Sequence, residues 1–376
     1  MSKNRFEYVV EEAKRASERY GLFPLGPDTP VVAMLSGGSD STALAYVLAA
    51  LVDDGIINNV KAVHVNHCLR GKASDGDERF VEALCSALGM DLEVFRIDIP
   101  ALLAGGGNME AVARDARYSA ANDVLARMCS KCGVEYDMGR IVVAHTVDDR
   151  MECFYMRSIV GTGPGGFRSM RYESGRVARP LLDLTRQELR DAICDADGLF
   201  DIVKDECGNY WREDETNGDT EHFRAYVRHE LIPLARKWNS SLETTLSRTM
   251  NLIAEEDDML EEMSDEIIDS ECRFKRYGDG TVKSCDISPE FASVKKPLAK
   301  RCIYNVLSEF AGDGGRIENR CVEAVLAAFA GGAPVSGYKN NIKGNLAVSA
   351  NRKGVKIERM SEYIARTSKH KGQQLV

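Results

Sequence analysis

Apolar and polar positions change period repeatedly along this chain, and each change predicts an element. Residues 5–20 keep their apolar side chains on one helical face, ahead of a Pro/Gly-rich entry, GLFPLGPDTP. The run VVAML from Val31 then reads as a strand, Ser36–Ser41 as a Gly-rich polar turn, and residues 41–52 as helix. The same reading gives a strand at Val60–Asn66, a helix at 75–89, a strand at Leu92–Ile99 and a glycine run at 105–107. A helix over 108–128 with Asn108 as its N-cap follows, then the short apolar strand Ile141–Ala144 and a helix over 147–159. Strands alternating with helices predict an α/β fold, a parallel doubly wound sheet whose ligands sit at the carboxyl ends of the strands.

From about residue 217 the alternation stops. Residues 220–271 predict helix, with Leu242, Leu246, Met250, Ile253, Leu260, Met263 and Ile267 recurring at helical spacing. Residues 272–360 read as a small α+β unit with helices near 297–310 and 318–329 and glycine-punctuated strands after them. The expected organisation is therefore an α/β domain over 1–216, a helical linker over 217–271, a C-terminal α+β domain over 272–360 and a flexible polar tail over 361–376.

Composition narrows the class of protein. There is no apolar run of 18 or more residues, and the N-terminus is charged and helix-like rather than a signal peptide, so the expectation is a cytoplasmic protein without a membrane span. The net charge of −9 is unevenly spread, because residues 251–271 hold ten acids and no base while residues 339–371 hold nine Lys/Arg against two acids. Local patches rather than net charge decide where RNA would dock. The eleven cysteines form no regular framework, and Cys129/Cys132 has no second pair at zinc spacing.

The candidate chemistry clusters at strand ends. Ser36-Gly37-Gly38-Ser39-Asp40-Ser41 lies between a strand and a helix, where glycines let a ligand approach the backbone and the first helical amides are free to bind an anion. It lacks the lysine of a GxxxxGK[ST] loop and carries Asp40 instead, which suits a nucleotide arriving with a divalent cation. His64-Val65-Asn66-His67-Cys68-Leu69-Arg70 ends the second strand and offers hydrogen bonds and charge through His67 and Arg70. Glu110, Arg114, Arg117 and Tyr118 share one helical face. His145, Asp149 and Glu152 share another, directly after the strand IVVA, and carboxylates beside a phosphate site call for a cation such as Mg²⁺. Gly161–Gly166 fits GxGxxG in form, but it follows a helix and contains Pro164, so it reads as a glycine-rich loop near the site.

Taken in order, SGGSDS, HVNHCLRG, NMEAVARDARY, AHTVDDRMEC, GTGPGGF, ARPLLDLTRQEL and EDETNGDTEHFRAYVRHELIPL resemble the tRNA(Ile)-lysidine synthases, a branch of the PP-loop ATP-pyrophosphatases, over residues 30–240. The resemblance implies ATP, L-lysine and an isoleucine tRNA with a CAU-type anticodon as substrates. It implies phosphate binding by Ser36–Ser41, a Mg²⁺ organised by Asp40 and Asp149, and catalytic positioning by His145 and Glu152. Arg114 and Arg117 would meet RNA or adenylate phosphate, and Arg224 and Arg228 would face tRNA. A homodimer is compatible with the sequence.

This chain departs from the family pattern at Arg150, Cys153, Cys68, Thr216 and Ala225, positions that spare the implied phosphate and metal ligands. A residue other than glycine at position 68 matters if the backbone there needs a positive φ. Two rival readings are a tRNA thiolase on the same scaffold using Cys129 and Cys132, and an RNA-binding relative without catalysis.

Overall fold

The apolar runs assemble as a mixed, mostly parallel sheet in a computed structural model that describes residues 4–103, 108–213, 223–312 and 317–373. The glycine run at 105–107, the Thr216–Asn217 pair with the expected 216/217 boundary, and the last three residues lie outside the described residues. Two compact units divide between Ala254 and Glu255.

The first unit begins with α1 (Arg5–Arg19), capped by Asn4, and continues as β1 (Pro30–Met34), α2 (Ser39–Asp53), β2 (Asn59–Asn66), α3 (Lys72–Ala87) and β3 (Asp91–Arg96). A short α4 (Ile99–Leu102) precedes α5 (Met109–Cys132), β4 (Arg140–Val142) and α6 (Val147–Val160). The two-residue strands β5 (Glu173–Ser174) and β6 (Val177–Ala178) follow, then α7 (Arg186–Asp195) and α8 (Phe223–Tyr226). A π-helical turn at Val227–Leu231 joins α8 to α9 (Ile232–Trp238).

The strand order is β3-β2-β1-β4-β6-β5, with every pairing parallel except the edge pair β5/β6. Alternation along β1 explains the two helical layers. Val31 and Ala33 pack with Val9 of α1, Leu44 and Leu48 of α2 and Leu189 of α7, whereas Val32 packs with Val124 and Leu125 of α5. The chain steps outward from β1 to β3 and then returns to β4 on the other side of β1. The loops leaving β1 and β4 therefore diverge, and a crevice opens between their carboxyl ends.

Helix α10 (Leu242–Glu271) contains the division between the units. The second unit adds β7 (Cys272–Arg276), β8 (Val282–Ile287), α11 (Lys296–Ala311), α12 (Asn319–Ala327), β9 (Lys339–Ile342), β10 (Leu346–Asn351), β11 (Gly354–Arg359) and α13 (Met360–Gln373). Its sheet is antiparallel in the order β7-β8-β11-β10-β9. Gly354 is obligatory at its β8 crossing, since a Cβ there would stand 2.1 Å from the Ile287 carbonyl oxygen. Ile303, Val306, Phe310, Val348 and Ile357 fill the core with the buried thiols of Cys272, Cys285, Cys302 and Cys321. One sequence expectation changes here. Residues 361–373, expected as a flexible tail, form α13, whose Arg366 pairs with buried Glu358. On the acid-rich α10, Glu261 accepts from Arg301 at 2.8 Å and from Asn305 at 2.9 Å. Among the described residues no helix is long and apolar enough to cross a membrane.

Candidate active site

The turn after β1 is built from inside by Ser41. Its Oγ accepts the N–H groups of Ser36 (3.2 Å) and Gly37 (3.0 Å) and donates to the Gly38 carbonyl (3.1 Å). Thr42 adds a bond from its hydroxyl to the Gly37 carbonyl at 3.2 Å. Gly37 has φ +87°, and a side chain there would also press on Val81 and Phe80. α2 has Gly38 at its N-cap and no side-chain cap, unlike α1, α5 and α7, so its first amides face the crevice with the positive end of the helix dipole.

The loop after β4 supplies the opposing wall. Thr146 caps α6 in a reciprocal box in which Asp149 Oδ2 accepts both the Thr146 N–H and its hydroxyl at 3.0 Å. The second oxygen, Oδ1, accepts from Arg224 at 2.9 Å and lies 3.7 Å from Arg186. Arg186 also donates to Asp40 Oδ2 at 2.9 Å, so one guanidinium bridges the two carboxylates that the sequence pairs. Burial pushes the Asp40 carboxyl above its usual range, with Arg186 pulling against it and Asp149 adding to the rise. Burial acts the same way on Asp149, but His145, Arg186 and Arg224 together outweigh it and hold that carboxyl low.

His145 accepts from Arg179 through Nδ1 at 3.0 Å, which leaves its proton on Nε2. Burial, reinforced by Arg179 and Arg224 against Asp149, lowers its pKa to about 4, so it is a neutral donor at pH 7. Glu152 is different in kind. Its side chain is 1% exposed and accepts from Arg224 and Arg228, each through Nε at 2.6 Å. It anchors two guanidiniums rather than facing open space.

Two joined cavities flank the turn. One of about 1040 Å³ is charged and lined by Ser39, Asp40, His145, Asp149, Arg186 and Arg228 among others. The other, of about 940 Å³, has apolar walls from Met34, Val63, Val65, Met109 and Tyr118. In it His64 Nε2, His67 Nδ1 and Arg117 Nε are buried without a protein partner. Burial, then Arg117 and His64, hold His67 near a pKa of about 4. Arg114 lies over the Tyr118 ring at 5.1 Å and lines this cavity, and Arg70, paired with Asp77 at 2.8 Å, lines both.

The structure thus gathers Ser36–Ser41, His67, Arg70, Arg114, Arg117, His145, Asp149, Glu152, Arg224 and Arg228 around one crevice. It leaves Gly161–Gly166 and Cys129/Cys132 out of both cavities, with Cys129 buried in the core under α5. Sequence reasoning missed Arg179, Arg186, Arg190 and Trp211. Arg179 and Arg186 lie in the quoted segment ARPLLDLTRQEL, but nothing in their spacing marks them as partners of His145 and Asp40.

The two carboxylates also bear on a cation. Among the described residues no group of three or more His, Cys, Asp or Glu forms a complete cage. Mg²⁺ asks for less, commonly one or two carboxylates completed by phosphate oxygens and water, and Asp40 with Asp149 Oδ1 fits that donor set.

Comparison with known proteins shows the family to which these strand-end loops belong. Relatives named tRNA(Ile)-lysidine synthase include those of Geobacter sulfurreducens (31% identity, 78% of this chain, 58% of the relative) and Porphyromonas gingivalis (34%, 65% and 48%). A third, from Clostridium acetobutylicum, is 28% identical over 73% of this chain and 54% of its own. The chain therefore spans between about half and three fifths of the length of these curated relatives. The PP-loop domain model matches residues 22–235, the whole stretch that carries both strand-end loops and the arginines of α8 and the π turn, and the chain belongs to the PP-loop domain family.

Proposed function

We propose that this protein is an ATP-dependent ligase that joins L-lysine to C2 of the wobble cytidine of a minor isoleucine tRNA with a CAU-type anticodon. The observation that carries the reading is the meeting of Asp40 and Asp149 beside the uncapped N-terminus of α2, at the point where the strand order reverses. The nucleoside of ATP suits the apolar cavity, whose unpartnered His64, His67 and Arg117 nitrogens await polar atoms. Its phosphates would cross Ser36–Ser41 into the charged cavity.

The chemistry has two displacements. The cytidine C2 oxygen attacks the α phosphorus, and the Pα–O bond to pyrophosphate breaks. The ε-amine of lysine then attacks C2, loses a proton and expels AMP. Neutral His145 would donate from Nε2 to an oxygen in the crevice, and the α2 amides would hold the charge that develops on the departing phosphates. Asp40 and Asp149 would hold Mg²⁺, which supplies charge neutralisation on the phosphate oxygens and a better leaving group. Arg224 and Arg228, set by Glu152, would present their outer N–H groups to RNA phosphate. The C-terminal unit would add tRNA contacts, and the reaction would take place in the cytoplasm.

The thiolase alternative has little support, since Cys129 is buried and its thiol pushed up by burial and by Cys132, and neither cysteine lines either of the two cavities of the crevice. Mass spectrometry of isoleucine tRNA incubated with protein, ATP, Mg²⁺ and lysine tests the reading. Lysidine at the wobble position is the expected product; sulfur there, or an unmodified tRNA, refutes it.

A further inference from the structure

The charged cavity is crowded with guanidiniums, and most already have a carboxylate. Arg186, Arg212, Arg224, Arg228 and Arg236 each reach one at 3.0 Å or less. Arg190 lines the same cavity and meets no carboxylate among the described residues. Its Nε donates instead to Ser39 Oγ at 3.4 Å, and its guanidinium lies over the Trp211 ring at 5.4 Å. Ser39 is the first residue of α2, and its hydroxyl also donates to Asp40 at 3.0 Å. The platform is itself tied to the phosphate turn, because the N–H of Arg212, next to Trp211, donates to the Gly37 carbonyl at 2.9 Å.

We infer that Arg190, stacked on Trp211, receives the β- and γ-phosphates of the nucleotide and then the pyrophosphate that leaves. This rests on reading Ser36–Ser41 as an ATP cradle and extends that cradle to a side chain from α7. A cation held beside a helix N-terminus is repelled by the same dipole that attracts phosphate, and Asp40 on that turn is already paired with Arg186, so an anion between Arg190 and the helix end would satisfy both. Trp211 pre-orders the planar guanidinium, which lowers the entropy lost on binding. The side chain lines the charged cavity and not the apolar one, which places it at the phosphate end of the nucleotide, away from the nucleoside and the α-phosphate.

The test is equilibrium binding of ATP, AMP and inorganic pyrophosphate, with Mg²⁺, to the full chain and to Arg190→Gln, Arg190→Lys and Trp211→Leu. For Arg190→Gln we expect ATP and pyrophosphate to bind about tenfold more weakly, a size in keeping with one charge-assisted hydrogen bond. AMP, which lacks the two outer phosphates, should bind within twofold of the parent, which also reports an intact fold. Arg190→Lys should restore part of the loss, and Trp211→Leu should show the same pattern at smaller size. Equal weakening of AMP and ATP, unchanged ATP binding, or a loss confined to tRNA binding each overturns the assignment. A parent protein that binds neither ATP nor AMP overturns the ATP reading itself, and this inference with it.

Discussion

Arg186 donates from Nε to Asp40 Oδ2 at 2.9 Å across 146 positions of sequence, and its other end stands 3.7 Å from Asp149. A side chain of the family's phosphate turn is thus already held in a charge network that includes the opposite wall. If Asp40 acts there with a cation, Asp40→Asn should lower tRNA-dependent pyrophosphate release by about 10²–10³-fold, the size seen when one group stabilising a transition-state charge is lost. Binding of tRNA should stay within about twofold, because Asp40 belongs to the proposed nucleotide site rather than to the proposed tRNA contacts. Turnover within tenfold of the parent refutes the role.

His145 gives a pH signature. Its ordinary value of 6.5 falls to about 4 in the fold, so the unfolded chain binds a proton through that window while the folded one does not. Stability from this group is present above 6.5 and lost as the pH falls toward 4. His67 shifts in the same direction to about 4. His145→Gln should therefore flatten the loss of stability between pH 6.5 and 4 by about 1–2 kcal/mol, discounted from the full shift because the ring is partly solvated. Denaturant midpoints measured across that range are the check, and parallel profiles for the two proteins contradict it.

Much of this was legible in the sequence. The continuous apolar runs VVAML and IVVA announce the buried parallel strands β1 and β4, and the Gly37 turn announces itself by composition. What escaped depends on the fold closing. β5 and β6 are two residues each, too short to carry a period, and they take their place by pairing beside β4. The arginines of α7 read as ordinary helix surface until the β1/β4 reversal brings them over the α2 N-terminus. The sequence also gives no sign that the Nε groups of Arg224 and Arg228 donate to Glu152.

Cys68 is one of the departures from the family pattern, and its φ is +56°. That conformation costs a residue with a Cβ about 1–2 kcal/mol, while glycine loses about 0.5–1 kcal/mol of chain entropy. Cys68→Gly should therefore stabilise the protein by roughly 0.5–1 kcal/mol, the difference of those two effects. A lower denaturation midpoint contradicts the strain argument.

Arg150, another departure from the pattern, should behave in the opposite way. Its side chain is 1% exposed, donates to Asn251 at 2.7 Å and lies 3.4 Å from Asp183, with Tyr172 beneath the guanidinium. Tyr172 OH is bonded to both Asp183 oxygens at 2.6 and 2.7 Å. Glutamine, shorter and uncharged, cannot span these partners. Arg150→Gln should cost about 1–3 kcal/mol, less than the full loss of a broken buried pair because Asp183 is 45% exposed and can be hydrated. A thermal midpoint equal to the parent's shows the network to be dispensable.

Arg224 and Arg228 separate a structural from an RNA-binding role. Both hold Glu152, so charge reversal would put like charges together in a buried place and unfold the site whichever role is true. Glutamine at each position is the sharper probe, since it removes one positive charge without adding a negative one. If each arginine also meets a tRNA phosphate, each variant should lower the slope of log affinity against log salt by about 0.7–0.9, the release from one phosphate. If they serve only Glu152, stability should fall by about 1–2 kcal/mol, a buried-pair loss reduced by their partial exposure, with the salt slope unchanged. The slope is the deciding quantity, because a general loosening of the site weakens tRNA binding at every salt concentration without altering the count of ions released.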